Sequence, residues 1–269
     1  MSLRSIAEET VEIARQGGYR TAAGHWVDIS AAVAGAVAGT RLYLPDEALP
    51  VVPAAVRASG PVVEVTSEST LDAGRRLGEG CAALVFASAR NPGGGFLGGA
   101  KAQEEAIARS SALYACQTTV PEYYEHHRSV RDLRYSDRVI YAPAVPVFRD
   151  NQLRLLDQPY RIGMLVAAAP NLGAILRNRP ELAGTVPAVL RARAVRVLRV
   201  AAAHGHRQLA LGAWGCGAFR NDPVLVAEVF AAALREVDAF DRVVFAVLDR
   251  RPGAPARTAF AAHFGAGVH

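Results

Sequence analysis

Three residues that could do chemistry stand side by side in the chain, Gln103, Glu104 and Glu105. They open a segment with the composition of a helix, and they follow a loop over 93–99 in which five of seven residues are glycine. Carboxyl groups supply and remove protons in acid/base catalysis. Consecutive glycines let a backbone pass close to a ligand, and the N–H groups of such a loop bind anions and sugar oxygens. The stretch predicts a substrate-binding loop beside an acidic pair that acts on the substrate.

Two commoner motifs cover the same residues, and both are disfavoured. Three of the glycines fit the spacing of a dinucleotide-binding loop, but that fold places its glycines directly at the strand end, and here residues 89–92 intervene. The run 94–101 approaches a P-loop. Ala100 stands where the P-loop needs a glycine before Lys101, and Ala102 replaces the magnesium-binding hydroxyl.

The overall composition is that of an ordinary globular protein. The chain has 269 residues, of which 51% are apolar, enough to bury a core in one large domain or two small ones. A net charge of +5 favours anionic partners such as nucleotides. Because the arginines are scattered and form no dense basic run, we expect no direct binding of nucleic acid. The charged N-terminus and the lack of a long apolar run predict neither signal peptide nor membrane span.

The cysteines and histidines indicate compartment and metal content. Cys81, Cys116 and Cys216 are odd in number and widely spaced, which favours a reducing cytoplasm over a disulfide scaffold. Two close histidine pairs, at 126–127 and 204–206, are predicted to be solvated surface and not metal ligands. We therefore expect no metal and no cofactor.

The elements that must position the acidic pair follow an α/β rhythm from residue 61 onward. Strands are predicted at 62–66, 82–87, 139–148, 153–156, 161–168, 208–213 and 242–248, and the two prolines of 139–148 make it an edge or irregular strand. The helix predicted at 102–117 carries the acidic pair and turns Arg109 outward. A helix at 185–204 exposes its arginines, Arg191, Arg193, Arg196 and Arg199.

The first sixty residues lack a core of their own. They contain an amphipathic helix over 5–16, a short hairpin over 21–29 and a proline-broken stretch over 42–56. We therefore expect an N-terminal extension over 1–60 that packs on a catalytic domain over 61–269.

A second glycine loop, residues 212–219, follows the strand predicted at 208–213. Asp222 then caps a helix whose first residue is Pro223, a strong start signal. In an α/β sheet, the loops that follow parallel strands gather at one edge. The two glycine loops can therefore hold one ligand that has two anionic parts.

These motifs resemble those of a known family. The first loop and the acidic residues resemble the Gly-Gly-Gly, spacer, Gln-Glu-Glu signature of poly(ADP-ribose) glycohydrolases, with seven residues between Gly95 and Gln103. The stretches LGAWGCGAFRNDP and VVEVTSESTLDAGRRL are similar to bacterial-type members. The resemblance extends over essentially the whole chain. It implies a macrodomain-like fold, a three-layer α/β/α arrangement with a mixed sheet and an N-terminal accessory extension.

The resemblance also implies an activity and a setting. The expected reaction is hydrolysis of the ribose–ribose O-glycosidic bonds of poly(ADP-ribose), which releases ADP-ribose as product. The expected partners are poly(ADP-ribose) or ADP-ribosylated proteins, and the expected protein is a bacterial cytoplasmic monomer of the DNA damage response.

Individual roles follow from the same resemblance. Glu105 matches the catalytic glutamate, and Glu104 is its companion. Asn91 and Gln103 are expected to bind substrate, as are the first loop at the distal ribose and the second loop at the diphosphate, with Phe219 against the ribose. These loop residues are Gly93, Gly94, Gly95, Gly215, Cys216, Gly217, Ala218 and Phe219.

The chemistry of these roles can be argued independently. Glycosidic cleavage passes through an oxocarbenium-like state, in which an acid protonates the departing oxygen before a base activates water. One carboxyl can do both in turn. Because consecutive helical residues point about 100° apart, Glu105 would face the bond while Glu104 orients Glu105 or a sugar hydroxyl. The simpler alternative is that both glutamates complement the helix dipole and that Glu105 pairs with Arg109.

Three other functions stay open at this point. They are a macrodomain that binds ADP-ribose without hydrolysing it, a hydrolase of single ADP-ribose units on protein side chains, and a Rossmann oxidoreductase. A pure binding module has no reason to carry Gln-Glu-Glu at the edge of its loop, and this favours the glycohydrolase.

Overall fold

The computed structural model describes residues 2–50 and 60–265, so part of the stretch predicted at 42–56 lies outside the described residues. The strands are β1 Gly18–Arg20, β2 Trp26–Asp28, β3 Arg41–Tyr43, β4 Val62–Thr66, β5 Ala82–Phe86, β6 Val139–Arg149, β7 Leu155–Ala167, β8 Gln208–Leu211 and β9 Arg242–Ala246. The helices are α1 Leu3–Gln16, α2 Ser30–Ala38, α3 Thr70–Leu77, α4 Gln103–Ser110, α5 Leu113–Gln117, α6 Pro121–Ser129, α7 Leu172–Asn178, α8 Val186–Ala203, α9 Pro223–Glu236 and α10 Pro255–Phe264.

One mixed sheet organises the molecule. Its seven strands follow the order β3-β6-β7-β5-β8-β9-β4, while β1 and β2 form a separate hairpin. The five strands from β7 to β4 in that order are mutually parallel, and β6 runs antiparallel to both of its neighbours. The loops that follow the parallel strands therefore lie at one edge of the sheet.

Both faces of the sheet are covered by helices, because its central strands are apolar on both sides. Leu84 of β5 belongs to the core formed with α8, α9 and α10. Its neighbour Val85 belongs to the opposite core, formed with α3, α5 and α6. This alternation of faces along a strand gives the expected three-layer α/β/α arrangement. Among the described helices, none is long and apolar enough to cross a membrane.

Residues 2–43 contact this framework at several places, through strand pairing, helix packing and an ion pair between Glu9 and Arg149. Strand β3 pairs with β6 at one edge of the sheet. Helix α1 packs on the first glycine loop, where Ala7, Phe96 and Ala108 form a small buried core of their own. The hydroxyl of Thr10 donates to the carbonyl of Arg109 at 2.7 Å, which ties α1 to the end of α4. The extension therefore supports the glycine loop directly.

Three elements differ from the sequence prediction. The helix expected at 102–117 is broken, because Ser111 has an extended backbone and bridges to Val147 of β6. The strands expected at 153–156 and 161–168 are parts of one strand, β7. Strand β6 is irregular, as predicted, because a register shift that contains Pro143 separates Ala142 from Val145. It is not an edge strand over its first residues, where β3 covers it.

Several polar side chains predicted to be exposed are buried. Arg193 is buried in α8 and pairs with Asp137 at 2.8 Å. His127 is buried, with one ring nitrogen 2.8 Å from the hydroxyl of Ser136. His206 is buried and hydrogen-bonds to the hydroxyl of Tyr141 at 2.8 Å. The sequence around each of these side chains did not predict its burial, because its hydrogen-bond partner lies in another part of the fold.

Candidate active site

The candidate site lies where three adjacent parallel strands end. Strand β5 lies between β7 and β8, and the first glycine loop leaves its end. The indole N–H of Trp214, in the loop after β8, donates to the carbonyl of Ala167 at the end of β7 at 3.0 Å. The amide of Asn221 donates to the carbonyl of Pro170 at 2.9 Å. The second loop therefore crosses the end of β5, as ligand-binding loops do in α/β sheets.

Gln103 attaches α4 to the central strand. Its amide nitrogen donates to the carbonyl of Leu84 at 2.8 Å, and its amide oxygen accepts the N–H of Phe86 at 2.9 Å. The side chain thus satisfies backbone groups of β5 in the manner of a neighbouring strand. These two hydrogen bonds fix the start of α4 and therefore the directions of the Glu104 and Glu105 side chains.

The glycine loop closes over both carboxyl groups. Gly93 and Gly94 have φ values of 63° and 58°, a region that glycine adopts without the strain of a Cβ. A Cβ at Gly94 would lie 2.5 Å from Oε1 of Glu105 and 3.0 Å from Oε2 of Glu104. Both the backbone conformation and the space at this position therefore require glycine.

Glu105 lies at the inner edge of this loop and is 9% exposed. Its Oε1 accepts the N–H of Gly95 at 3.0 Å. Its Oε2 is buried and has no hydrogen-bond partner among residues 2–50 and 60–265. A buried oxygen without a partner lowers stability, so it indicates a group kept for function.

The alternative in which Glu105 pairs with Arg109 does not fit the contacts. Arg109 is buried and not turned outward, and its guanidinium donates to the carbonyl of Ala100 at 2.6 Å. In the part of the chain that the structure describes, no ion pair joins it to Glu105. Arg109 therefore holds the loop that covers the glutamates. Its charge interacts with Glu105 through space, without an ion-pair contact.

Glu104 lies behind Glu105 and is only 2% exposed. Burial raises the pKa of Glu104 to about 8, although hydrogen bonds from its neighbours oppose the shift. The N–H of Ser88 donates to Oε2 at 2.6 Å, and the amide of Gln117 donates to Oε1 at 2.8 Å. The sequence analysis did not predict a role for Gln117, because no motif links a residue of the next helix to the acidic pair.

The second loop offers backbone donors. The N–H groups of Gly217, Ala218 and Phe219 make no hydrogen bond to any described residue. Gly215 has φ of 73°, and a Cβ there would lie 2.6 Å from that of Ala169, so the loop requires glycine to pack on the residues that follow β7. The Cys216 side chain is buried, which raises the pKa of its thiol to about 12. Only the backbone of Cys216 is therefore suited to ligand contact.

Phe219 and Asn91 flank the two loops. The Phe219 ring is half-buried, packs on the core beneath α8 and α9, and lies 6.1 Å from the ring of Tyr135. Asn91 is exposed, and its carbonyl accepts the N–H of Gly94 at 3.0 Å, which helps to shape the first loop.

A three-layer α/β/α fold with a glycine loop over buried glutamates, and free N–H groups on a neighbouring loop, defines a macrodomain-like glycohydrolase. The family model for the catalytic domain of microbial-type poly(ADP-ribose) glycohydrolase (PARG) matches residues 7–150. The chain belongs to this family.

Solved structures of bacterial relatives cover nearly the whole chain. The poly(ADP-ribose) glycohydrolase of Thermomonospora curvata is 49% identical over 97% of this chain and 99% of its own, with a TM-score of 0.88. Its structure bound to the inhibitor ADP-HPD is 51% identical over 97% and 98%, with a TM-score of 0.86. The Deinococcus radiodurans enzyme in complex with ADP-ribose is 45% identical over 88% and 98%, with a TM-score of 0.80. The comparison with curated proteins gave no match.

These matches confirm the fold, the family and the enzymatic class expected from the sequence. The chain is a glycohydrolase with poly(ADP-ribose) glycohydrolase activity, and a non-catalytic binding module is not favoured.

Gly94→Ala tests the contact between the loop and the glutamates. The new Cβ displaces the Glu105 carboxyl, and a misplacement of about 1 Å in a reacting group lowers turnover roughly 10²-fold. The left-handed backbone adds a strain of about 1–2 kcal/mol to the loss of stability. The matched control is Gly98→Ala in the same loop, where a Cβ meets nothing within 4 Å. Equal polymer hydrolysis by the two folded variants would contradict this geometry.

Glu104→Gln tests the burial of the second glutamate. Because the folded pKa of about 8 lies above the ordinary value of 4.5, this group favours folding most below pH ~4.5, and that contribution is lost as pH rises through about 8. Glutamine does not titrate. The melting temperature of the variant minus that of the wild type should therefore increase between pH ~5 and pH ~8.5 in scanning calorimetry. A difference that stays constant over this range would show that Glu104 titrates normally.

Proposed function

We propose that Glu105 is the acid and base with which this poly(ADP-ribose) glycohydrolase cleaves the ribose–ribose bond. The observation that carries the assignment is the buried Oε2 of Glu105, which lacks a hydrogen-bond partner among the described residues while Oε1 is fixed by Gly95. One oxygen is thus held in place, and the other makes no protein hydrogen bond that a reacting group would have to displace.

The proposed reaction has two steps. The protonated Glu105 carboxyl gives its proton to the departing ribose oxygen, which leaves with the electron pair of the glycosidic bond and creates an oxocarbenium-like ribose. Water then takes the place of the leaving group. The Glu105 carboxylate removes a proton from this water as its oxygen bonds to the anomeric carbon, and the acid form of Glu105 is restored.

The two loops are proposed to hold the terminal ADP-ribose in the pose this reaction needs. The N–H groups of Gly217, Ala218 and Phe219 suit the diphosphate, because backbone donors without partners bind anions well. The glycines of the first loop suit the distal ribose, and the Phe219 ring is proposed to pack against it. Glu104 is proposed to orient Glu105, and Gln103 acts through the position of α4.

The protein is further proposed to act as a cytoplasmic monomer on poly(ADP-ribose) and ADP-ribosylated proteins. One chain supplies both loops and both glutamates, so the site needs no second copy of the protein. The three cysteines are free and buried, which supports a reducing compartment. A place in the DNA damage response is proposed from the family alone.

Glu105→Gln tests the acid/base assignment. The amide keeps the size of the side chain and accepts a hydrogen bond from Gly95, but it cannot carry the proton. Release of ADP-ribose from polymer should fall by at least ~10²-fold to 10⁴-fold, while ADP-ribose still binds in calorimetry. Glu122→Gln, on an exposed position of α6, is the control. A variant that keeps more than about a tenth of wild-type turnover would exclude Glu105 as the acid/base.

Gly217→Val tests the diphosphate loop. A Cβ at Gly217 meets nothing within 4 Å, so the fold should accept valine while its branched side chain blocks the approach of a phosphate to the loop. We expect weaker ADP-ribose binding in calorimetry with an unchanged melting temperature. Gly184→Val is the control, since Gly184 is also exposed and open but lies beside α8. Wild-type affinity in the folded Gly217 variant would remove this loop from the site.

A further inference from the structure

Gln117 is a buried polar residue that the motif does not contain. It lies at the end of α5, has no exposed surface, and donates one hydrogen bond, from its amide nitrogen to Oε1 of Glu104 at 2.8 Å. Its own amide oxygen is buried and has no hydrogen-bond partner in the described parts of the chain. The buried hydroxyl of Tyr124, in α6, lies beside the Gln117 side chain. Burial raises the pKa of Tyr124 well above its ordinary value, and the contact with Gln117 opposes that rise.

Packing alone does not account for a glutamine at this place. A buried amide with one unsatisfied oxygen is less stable than an apolar side chain of similar size, because the oxygen has lost its water without gaining a partner. The contact that Gln117 does make is directed at Glu104, and through Glu104 it lies next to the loop that covers Glu105. The polar group at 117 thus serves the Glu104 carboxyl, as well as the buried hydroxyl of Tyr124.

We propose that Gln117 is a positioning residue of the reaction, which holds the Glu104 carboxyl against the Ser88 backbone and so fixes the place of Glu105. This inference rests on the proposed roles of the two glutamates. Oε1 of Glu104 is bound by Gln117 and Oε2 by Ser88, so the carboxyl is held from two sides. Without Gln117, Oε1 of Glu104 loses its side-chain donor and only backbone N–H groups hold the carboxyl.

The titration of Glu104 supplies a readout that a merely structural role would not change. The titratable groups that face Glu104 are Glu105 from α4 and Tyr123 and Tyr124 from α6. None of these three supplies a positive charge. Three groups favour the ionised carboxylate. They are the backbone N–H of Ser88, the side-chain amide of Gln117 and the backbone N–H of Gly93. Loss of Gln117 therefore raises the pKa of Glu104 further.

The test compares Gln117→Leu with Cys116→Ala, which alters a buried residue of the same helix without touching Glu104. For Gln117→Leu we expect polymer turnover to fall between about 10-fold and 100-fold, from the misplaced carboxyl. The limb of the pH–rate profile that reports Glu104 should move to higher pH. ADP-ribose affinity should stay at the wild-type value. The melting temperature should fall, because the buried Oε1 of Glu104 loses its donor. Cys116→Ala should keep the wild-type pH–rate profile. Gln117→Met replaces the leucine variant if that variant does not fold.

Carboxyl ¹³C NMR of labelled glutamate in the same variants separates this inference from the proposed function. A higher Glu104 titration midpoint in Gln117→Leu, together with reduced turnover, supports the positioning role. An unchanged midpoint with wild-type turnover overturns it even if Glu105→Gln is inactive. Full activity of Glu105→Gln would instead overturn the proposed function, whatever the Gln117 variants do.

Discussion

The approach of the Gly94 backbone to two carboxyl groups is the contact on which the site depends. The space there is too small for a Cβ, since Oε1 of Glu105 would lie 2.5 Å from it. Position 94 must therefore be glycine, and neighbouring residues must hold the loop against the glutamates. Phe96, fully buried against α1, holds it from one side, and Arg109 holds the carbonyl of Ala100 from the other. Gln103 in turn fixes α4 to β5 and sets the direction of both glutamates.

The N-terminal extension contributes to the site by supporting the first glycine loop. Helix α1 contributes Ala7 to the small core that contains Phe96, and its Thr10 bonds to the carbonyl of Arg109. The extension therefore braces the loop that closes over the glutamates. The opposite side of the site is braced by Trp214 and Asn221, which join the second loop to the end of β7. Each loop is held by residues outside its own glycines.

The features predicted correctly from the sequence are those that depend on residues close together in the chain. Asp222 and Pro223 mark a helix start, and the structure has it there, with the Asp222 side chain accepting the N–H of Val224. The glycine loops and the acidic pair were found for the same reason. Contacts between distant residues were not foreseen. The bridge that breaks the helix at Ser111, the burial of Arg109 and the bond from Gln117 to Glu104 all depend on neighbours that only the folded chain brings together.

The central claim is that the two loops hold one ADP-ribose with its anomeric carbon at Glu105. The most direct measurement is a crystal structure of this protein with ADP-ribose. The account predicts that the oxygen on the anomeric carbon lies about 2.6–3.2 Å from Oε2 of Glu105, within hydrogen-bond reach. It also predicts diphosphate oxygens about 2.9 Å from the backbone nitrogens of Gly217, Ala218 and Phe219. A ribose whose anomeric carbon points away from Glu105, or a diphosphate bound outside the second loop, would contradict it.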